Sequence, residues 1–486
     1  MNLFQQTRPK DIKKSSFNLS HQRIMSLNFG AITPILCREV LPGDKWSLQQ
    51  EHLLKFAPLV SPVMHNMDVY THYFFVPNRL VWTEWEDFIS GQQLDEKGQI
   101  IEPIHPHFTL GGLIGGNLGT QSTKGSIFDY LGYPTYDNGY GDTRHIAKEA
   151  AYLPISSLPL RAFSLIWNEY YRDQDLEEPL KFPTSSGFDD LAPENVLYDI
   201  LDRFTKGVPP ASYEKDYIMS ARPWAQKGAT VMLNNSTDPY ISVNETRRAF
   251  ALQKWLERTA RGGSRYIEQL FSHFAVTSSN KALQRPQYLG GSKNNVMIGE
   301  NMQTSETTSN SPQANRAGFA NAYNDSHIFS QEFEEHGLLI GAMFIRPKLV
   351  YINPLDRQLL KVDKFSYFWP EFETIGEQEV LRAETSINCG FGGGRPAETY
   401  GYQSRYSEYK SIRSTVHGDM RDKLKHWHLA IHASDHLNHA TIHTKDFQRI
   451  FAVTDDQSNN IYAQIAFEII ADRPLSYLVE PGNIDH

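Results

Sequence analysis

Of the 18 histidines in the chain, seven crowd one stretch: His417, His426, His428, His432, His436, His439 and His443. Imidazole is a common metal ligand and titrates near neutral pH, so such a cluster invites a chemical reading. In an extended strand from Leu424 to Ala433, His426, His428 and His432 would share one face and Trp427, Leu429 and Ile431 the other. Two imidazoles at alternate strand positions point into one volume, a geometry that suits zinc. No cysteine lies nearby, and Asp435 and Asp446 stand at no ligand spacing. The favoured reading is a solvated or interface strand face, with His426, His428 and His432 as the weaker metal candidates.

Other arrangements carry less. The glycines of GGLIGGNLG (Gly111 to Gly119) suggest a phosphate loop, but Thr123 stands where a glycine should precede Lys124. Glu334-Glu335 and Asp189-Asp190 are neighbours in sequence, which by itself defines no acid–base pair. The nucleophile elbow G-x-S-x-G, H-E-x-x-H, the EF-hand loop and the zinc ribbon are all absent. No catalytic residues and no cofactor are expected. Basic residues gather at the N-terminus, where Lys10, Lys13, Lys14 and Arg23 are candidate nucleic-acid contacts. The chain of 486 residues carries a formal charge of −9, so any such contact is local rather than a property of the whole surface.

Positioning such residues takes a large core, and 40% hydrophobic and 12% aromatic residues supply one. Only Cys37 and Cys389 occur, which argues against a disulfide framework and for a reducing compartment. No run of about 18 apolar residues is present, so a soluble chain without membrane insertion is expected. Met67 to Val76 reads as a central strand, apolar on both faces and ended by Pro77. Trp46, Leu48 and Gln50, the run Gly337 to Pro347, and the alternation from Ile461 to Ile470 read as further strands. Helices are expected near 159–173, 242–261 and 264–276, the second opened by a Ser242/Glu245 capping box. Residues 1–28 read as an arm without a packed element, and about 92–330 as mostly insertion, with 278–330 a long polar excursion. Widely spaced strands with long, partly helical insertions suit a single mainly β, antiparallel sandwich over 29–486 better than a regular βαβ array.

Several runs occur together in one order: LPGDKW (Leu41 to Trp46), APLVSPVMH (Ala57 to His65) and THYFFVPNRLVW with WEDFI (Thr71 to Ile89). IWNEYYRDQ (Ile166 to Gln174), YEKDY (Tyr213 to Tyr217) and RRAFALQKWLERTARGGSRYIEQLFSHF (Arg247 to Phe274) follow. RPQYLGG (Arg285 to Gly291), FWPEFETIGEQEV (Phe368 to Val380), GYQSRYSEYK (Gly401 to Lys410), VHGD (Val416 to Asp419) and FAV (Phe451 to Val453) complete the series. In these runs the chain resembles the major capsid proteins of the small icosahedral single-stranded DNA phages, the microviruses, and within them the gokushovirus-like branch.

The resemblance implies an eight-stranded antiparallel jelly roll whose loops outweigh the barrel. It implies self-assembly into a T=1 shell of sixty copies around a circular single-stranded DNA genome. Partners so implied are a small basic DNA-packaging protein, a minor pilot-type virion protein and a host surface receptor. The protein would occupy the virion, and the host cytoplasm during assembly. One departure concerns the segment before the helix near Ser242. Relatives place a long insertion there that builds a three-fold protrusion; here Ala229 to Ile241 alone fills the place, which implies host attachment through another loop or protein. Two rival readings are a non-viral β-sandwich binding module, with 24 Tyr and 8 Trp pointing to carbohydrate, and a metal-dependent enzyme using the C-terminal histidines.

Overall fold

Where apolar and polar residues alternate, the backbone runs as long strands. In the computed structural model these are β1 (Ser15–Asn18), β2 (His21–Leu27), β3 (Thr33–Val40), β4 (Lys45–Phe56) and β5 (Met67–Pro77). After a long excursion come β6 (Gln287–Asn295), β7 (Met297–Met302), β8 (Arg316–Glu332), β9 (Gly337–Pro347) and, much later, β10 (Ile461–Arg473). The structure describes residues 14–91, 103–114, 122–135, 152–189, 198–226, 243–263, 265–304, 306–307, 313–314, 316–386, 396–433, 436–445, 447–453 and 459–477.

Two antiparallel sheets result. One has the order β1–β10–β4–β8–β7, with β2 paired to β10 beside β1; the other has the order β3–β9–β5–β6. Their facing sides make the first core. Ile461, Ala463, Ile465, Phe467, Ile469 and Ala471 of β10 point inward with Trp46, Leu48 and Leu54 of β4. Met67, Val69, Tyr73 and Phe75 of β5 meet them from the second sheet, with Leu339, Met343 and Ile345 of β9. Gly341 of β9 lies opposite Tyr73 in the register. A side chain there would come within 2.6 Å of the tyrosine ring, so the ring's place depends on the missing Cβ.

The other face of β5 and β9 is covered as well. Phe74 and Val76 of β5, with Leu338, Ile340 and Phe344 of β9, pack beneath Trp82 and the helix α1 (Leu158–Ile166). The helix continues as a π turn, Trp167–Tyr171. Both faces of β5 are therefore buried, as a strand with two apolar faces requires. This second core is pinned by a buried ion pair. Arg161 Nη2 lies 2.7 Å from Asp189 Oδ1, Tyr198 donates to Asp189 at 2.6 Å, and Ser157 donates to the same carboxylate. Arg161 also donates to the carbonyls of Val81 and Ser185, so its charge is matched and its other protons have acceptors.

The structure departs from the sequence reading in three places. Residues 15–27, expected to lack a packed element, form β1 and β2 along the side of β10 that β4 leaves open. Alternating burial along them supplies a weak but sufficient apolar face. Within 278–330, expected as an excursion, β6, β7 and β8 supply members of both sheets. Their inward residues include the small Ala320 and Ala322, so hydrophobic contrast along β8 is low. Lastly, Leu424 to Ala433 is no strand: Lys425–Trp427 is a 3-10 turn.

Two further helices, α2 (Val243–Gly262) and α3 (Tyr266–Phe274), pack against one another away from the two cores. Gly263, at φ +97°, makes the left-handed turn between them. The expected Ser242 cap lies outside the described residues. No helix among the described residues is long and apolar enough to cross a membrane.

Candidate assembly surface

The histidine cluster is scattered by the 3-10 turn. His428 is buried; its Nε2 donates to the Met420 carbonyl at 2.6 Å, and its Nδ1 accepts from the Ala430 amide at 3.0 Å. With both ring nitrogens engaged, no lone pair is left for a metal. Burial holds this imidazole below its ordinary pKa, so it stays neutral. His432 is exposed, and His426 packs near Trp427. His417 contacts Thr415 and Arg421, and His436 contacts Arg382. Among the described residues no group of three or more His, Cys, Asp or Glu side chains could hold a metal ion.

The basic candidates divide as well. Lys10 and Lys13 lie outside the described residues. Lys14 pairs with Glu332 at 3.0 Å on the surface. Arg23 is turned inward, donating to the carbonyls of Ile35 and Tyr130 at 2.9 and 3.0 Å. Its strand places it there, because β2 is held in register by β10. Arg23 therefore serves as a tie between the N-terminal strand and its neighbours.

What the excursions present outward is apolar. Helix α2 buries Leu256 and Ala260 near its C-terminal end, whereas Leu252, one turn before Leu256, is exposed. The N-terminal half of α2 therefore stands clear of the body. Phe250 and Trp255 of α2, with Tyr266, Phe271 and Phe274 of α3, are exposed too, Phe250 at 70% and Phe274 at 73%. Trp255, Tyr266, Leu270 and Phe274 border a shallow apolar hollow between the helices. Single exposed apolar residues need no explanation, but a cluster of large ones on one helix pair marks a contact surface.

A second apolar surface lies on the loop of 3-10 turns from Arg357 to Phe372. Leu359, Phe365 and Trp369 are exposed there, and Val362 is 91% exposed. The loop is nevertheless built. Asp363 accepts from the amides of Phe365 and Ser366 at 2.7 and 3.0 Å, and Trp369 Nε1 donates to the Lys364 carbonyl at 2.8 Å. At its root Arg357 pairs with the fully buried Glu384 at 2.7 Å. Two organised apolar surfaces on separate excursions suit contacts between unlike patches of neighbouring copies. Sequence reasoning quoted the run Phe368 to Val380 without finding this surface; the signal was aromatics interleaved with turn-forming residues and no strand or helix period.

Comparison with known proteins bears on the use of these surfaces. A phage capsid family, described as capsid protein (F protein), matches residues 6–241 and 233–483. Capsid protein VP1 of Chlamydia phage 1 is 29% identical over 602 residues, covering 99% of this chain and 97% of the relative. Capsid protein VP1 of Bdellovibrio phage phiMH2K is 29% identical, covering 95% and 94%. Capsid protein VP1 of Spiroplasma virus 4 is 24% identical, covering 97% and 95%. The alignment with the first exceeds this chain's 486 residues, so that relative carries insertions here absent. Matched over nearly its whole length, the chain belongs to the phage capsid protein (F protein) family, as the major capsid protein of a small phage.

Proposed function

We propose that the chain assembles as a T=1 icosahedral shell of sixty copies enclosing a circular single-stranded DNA genome. Strand order is the observation that carries the architectural part. With β2, β3, β4, β5, β6, β8, β9 and β10 taken as the eight strands of a jelly roll, one sheet reads first–eighth–third–sixth and the other second–seventh–fourth–fifth. That interleaving is what two nested Greek keys produce. The apolar faces on α2–α3 and on Arg357–Phe372 then serve as contacts between copies, buried on closure.

The net charge of −9 means the shell cannot neutralise DNA unaided. Counter-charge comes from a small basic packaging protein, with a pilot-type minor virion protein completing the particle and a host surface receptor met from outside. Of the four N-terminal candidates for DNA contact, Lys10 and Lys13 remain, since Lys14 and Arg23 are engaged with protein groups. The protein functions without catalysis, first in the host cytoplasm and then in the virion. Negative-stain microscopy of the chain expressed with its viral companions tests the reading. Closed particles of uniform size are expected; monomers alone under those conditions would overturn it.

A further inference from the structure

A cavity of about 860 Å³ opens between the π turn after α1, the α2–α3 junction and the outer face of the second sheet. Seven cationic side chains line it against three carboxylates, in a chain that is acidic as a whole. Three of the arginines are answered by carboxylates: Arg285 by Glu169 at 2.7 Å, Arg346 by Glu214 at 3.1 Å, and Arg261 by Glu377.

The other three are held differently. Arg172 Nη1 donates to the Glu177 carbonyl at 2.7 Å, and Arg265 Nη2 donates to the Arg172 carbonyl at 2.9 Å. Arg222 Nη2 donates to the Arg261 carbonyl at 2.6 Å. A carbonyl oxygen orients a guanidinium without neutralising it. The cavity's carboxylates compensate these only in part, Asp175 acting on Arg222. Glu268 stays 3.7 Å from Arg265 and accepts the Arg265 amide at 3.1 Å, while Asp173 lies 3.6 Å from Lys215. The Nε groups of Arg172 and Arg265 are buried without any hydrogen-bond partner. Burial depresses both guanidiniums; Arg265 lowers Arg172 further, and on Arg265 the pull of Glu268 is partly opposed by Arg285. An excess of cationic side chains over carboxylates, fixed around one space with two buried Nε donors unpartnered, favours an anion there.

We propose that this cavity binds a phosphate oxyanion, with Arg172, Arg222 and Arg265 as its principal ligands. A tetrahedral phosphate oxyanion offers acceptors in several directions, which suits guanidiniums converging from separate elements better than a flat carboxylate does. A phosphate monoester and the phosphodiester of a nucleic acid share that chemistry. The inference does not depend on how the chain assembles.

The test is thermal unfolding of the full chain titrated with sodium phosphate, against sodium chloride at matched ionic strength. A saturable rise in Tm with phosphate alone is expected, with apparent affinity at least tenfold weaker in Arg172→Gln and Arg265→Gln. If either variant fails to fold, Arg222→Gln gives the same reading, because its guanidinium ties to a single carbonyl. A single-stranded oligonucleotide that competes with phosphate assigns the phosphodiester; failure to compete, with the phosphate effect intact, assigns a free phosphate. An equal rise with chloride, no saturation, or unchanged affinity in the folded variants would overturn the proposal.

Discussion

Strand β5 and the α2–α3 hairpin are both rich in aromatic residues, yet they use them in opposite ways. Tyr73, Phe74 and Phe75 of β5 are almost wholly buried, whereas Phe250, Trp255, Phe271 and Phe274 of the hairpin are mostly exposed. The strand is sandwiched because a second sheet covers one face and an excursion covers the other. The hairpin packs only on itself and near one end of α2. Aromatic content by itself therefore does not mark burial in the subunit; only the subunit's own structure separates the buried aromatics from the exposed ones.

The strongest way to break this comparison is to attack the buried side. Asp189→Ala leaves Arg161, which is fully buried, without its partner. A loss of roughly 3–5 kcal/mol is expected in urea unfolding of the subunit. A loss under about 1 kcal/mol would show that this core tolerates the bare charge.

A pH titration sharpens it next. Burial pulls His52, His65 and His72 down to about 4, each lying in or beside the cores. In the unfolded chain these groups titrate near ~6.5. Above that pH both states are neutral and nothing is lost. As pH falls from about 6.5 towards 4, the unfolded chain takes up protons the native state refuses, so stability falls across that window. Urea midpoints measured at pH 7, 5.5 and 4.5 should decline in order, and less steeply in His52→Gln. A flat profile would contradict neutral, buried histidines.

The exposed side should respond the other way. Trp255→Asp with Phe271→Asp should change subunit stability by no more than about 0.5 kcal/mol for each change, while particles disappear from micrographs. Normal particles from the double variant would remove the hairpin from the assembly contacts. The smallest effect is expected at Lys14→Ala, whose partner Glu332 is exposed. Such surface pairs contribute roughly 0–1 kcal/mol, and that contribution should fade with salt.

Much of the sheet framework was legible in the residues. Ile461, Ala463, Ile465, Phe467 and Ile469 alternate with polar partners, and their inward face is the one observed. Met67 to Pro77, apolar on both sides, had to be covered twice. The strand β8 was hidden because the small Ala320 and Ala322 face the core while the larger Phe319 and Tyr323 face outward, giving the alternation little amplitude. The histidine reading failed for a related reason: a shared face at alternate positions presupposes extended backbone, and Lys425–Trp427 turns instead.

Periodicity by itself marked this chain as a mainly β protein with strands far apart, and the ordered motif runs carried its family resemblance. Those properties reside in local patterns that survive without knowledge of pairing. Only the tertiary structure decided that β1 and β2 close on β10 at the far end of the chain, and that Arg161 meets Asp189 beneath a loop. It also decided which aromatics are spent inside the subunit and which remain outside. Each of these outcomes depends on contacts between segments distant in sequence, whose free energy belongs to the packed arrangement and to neither segment alone.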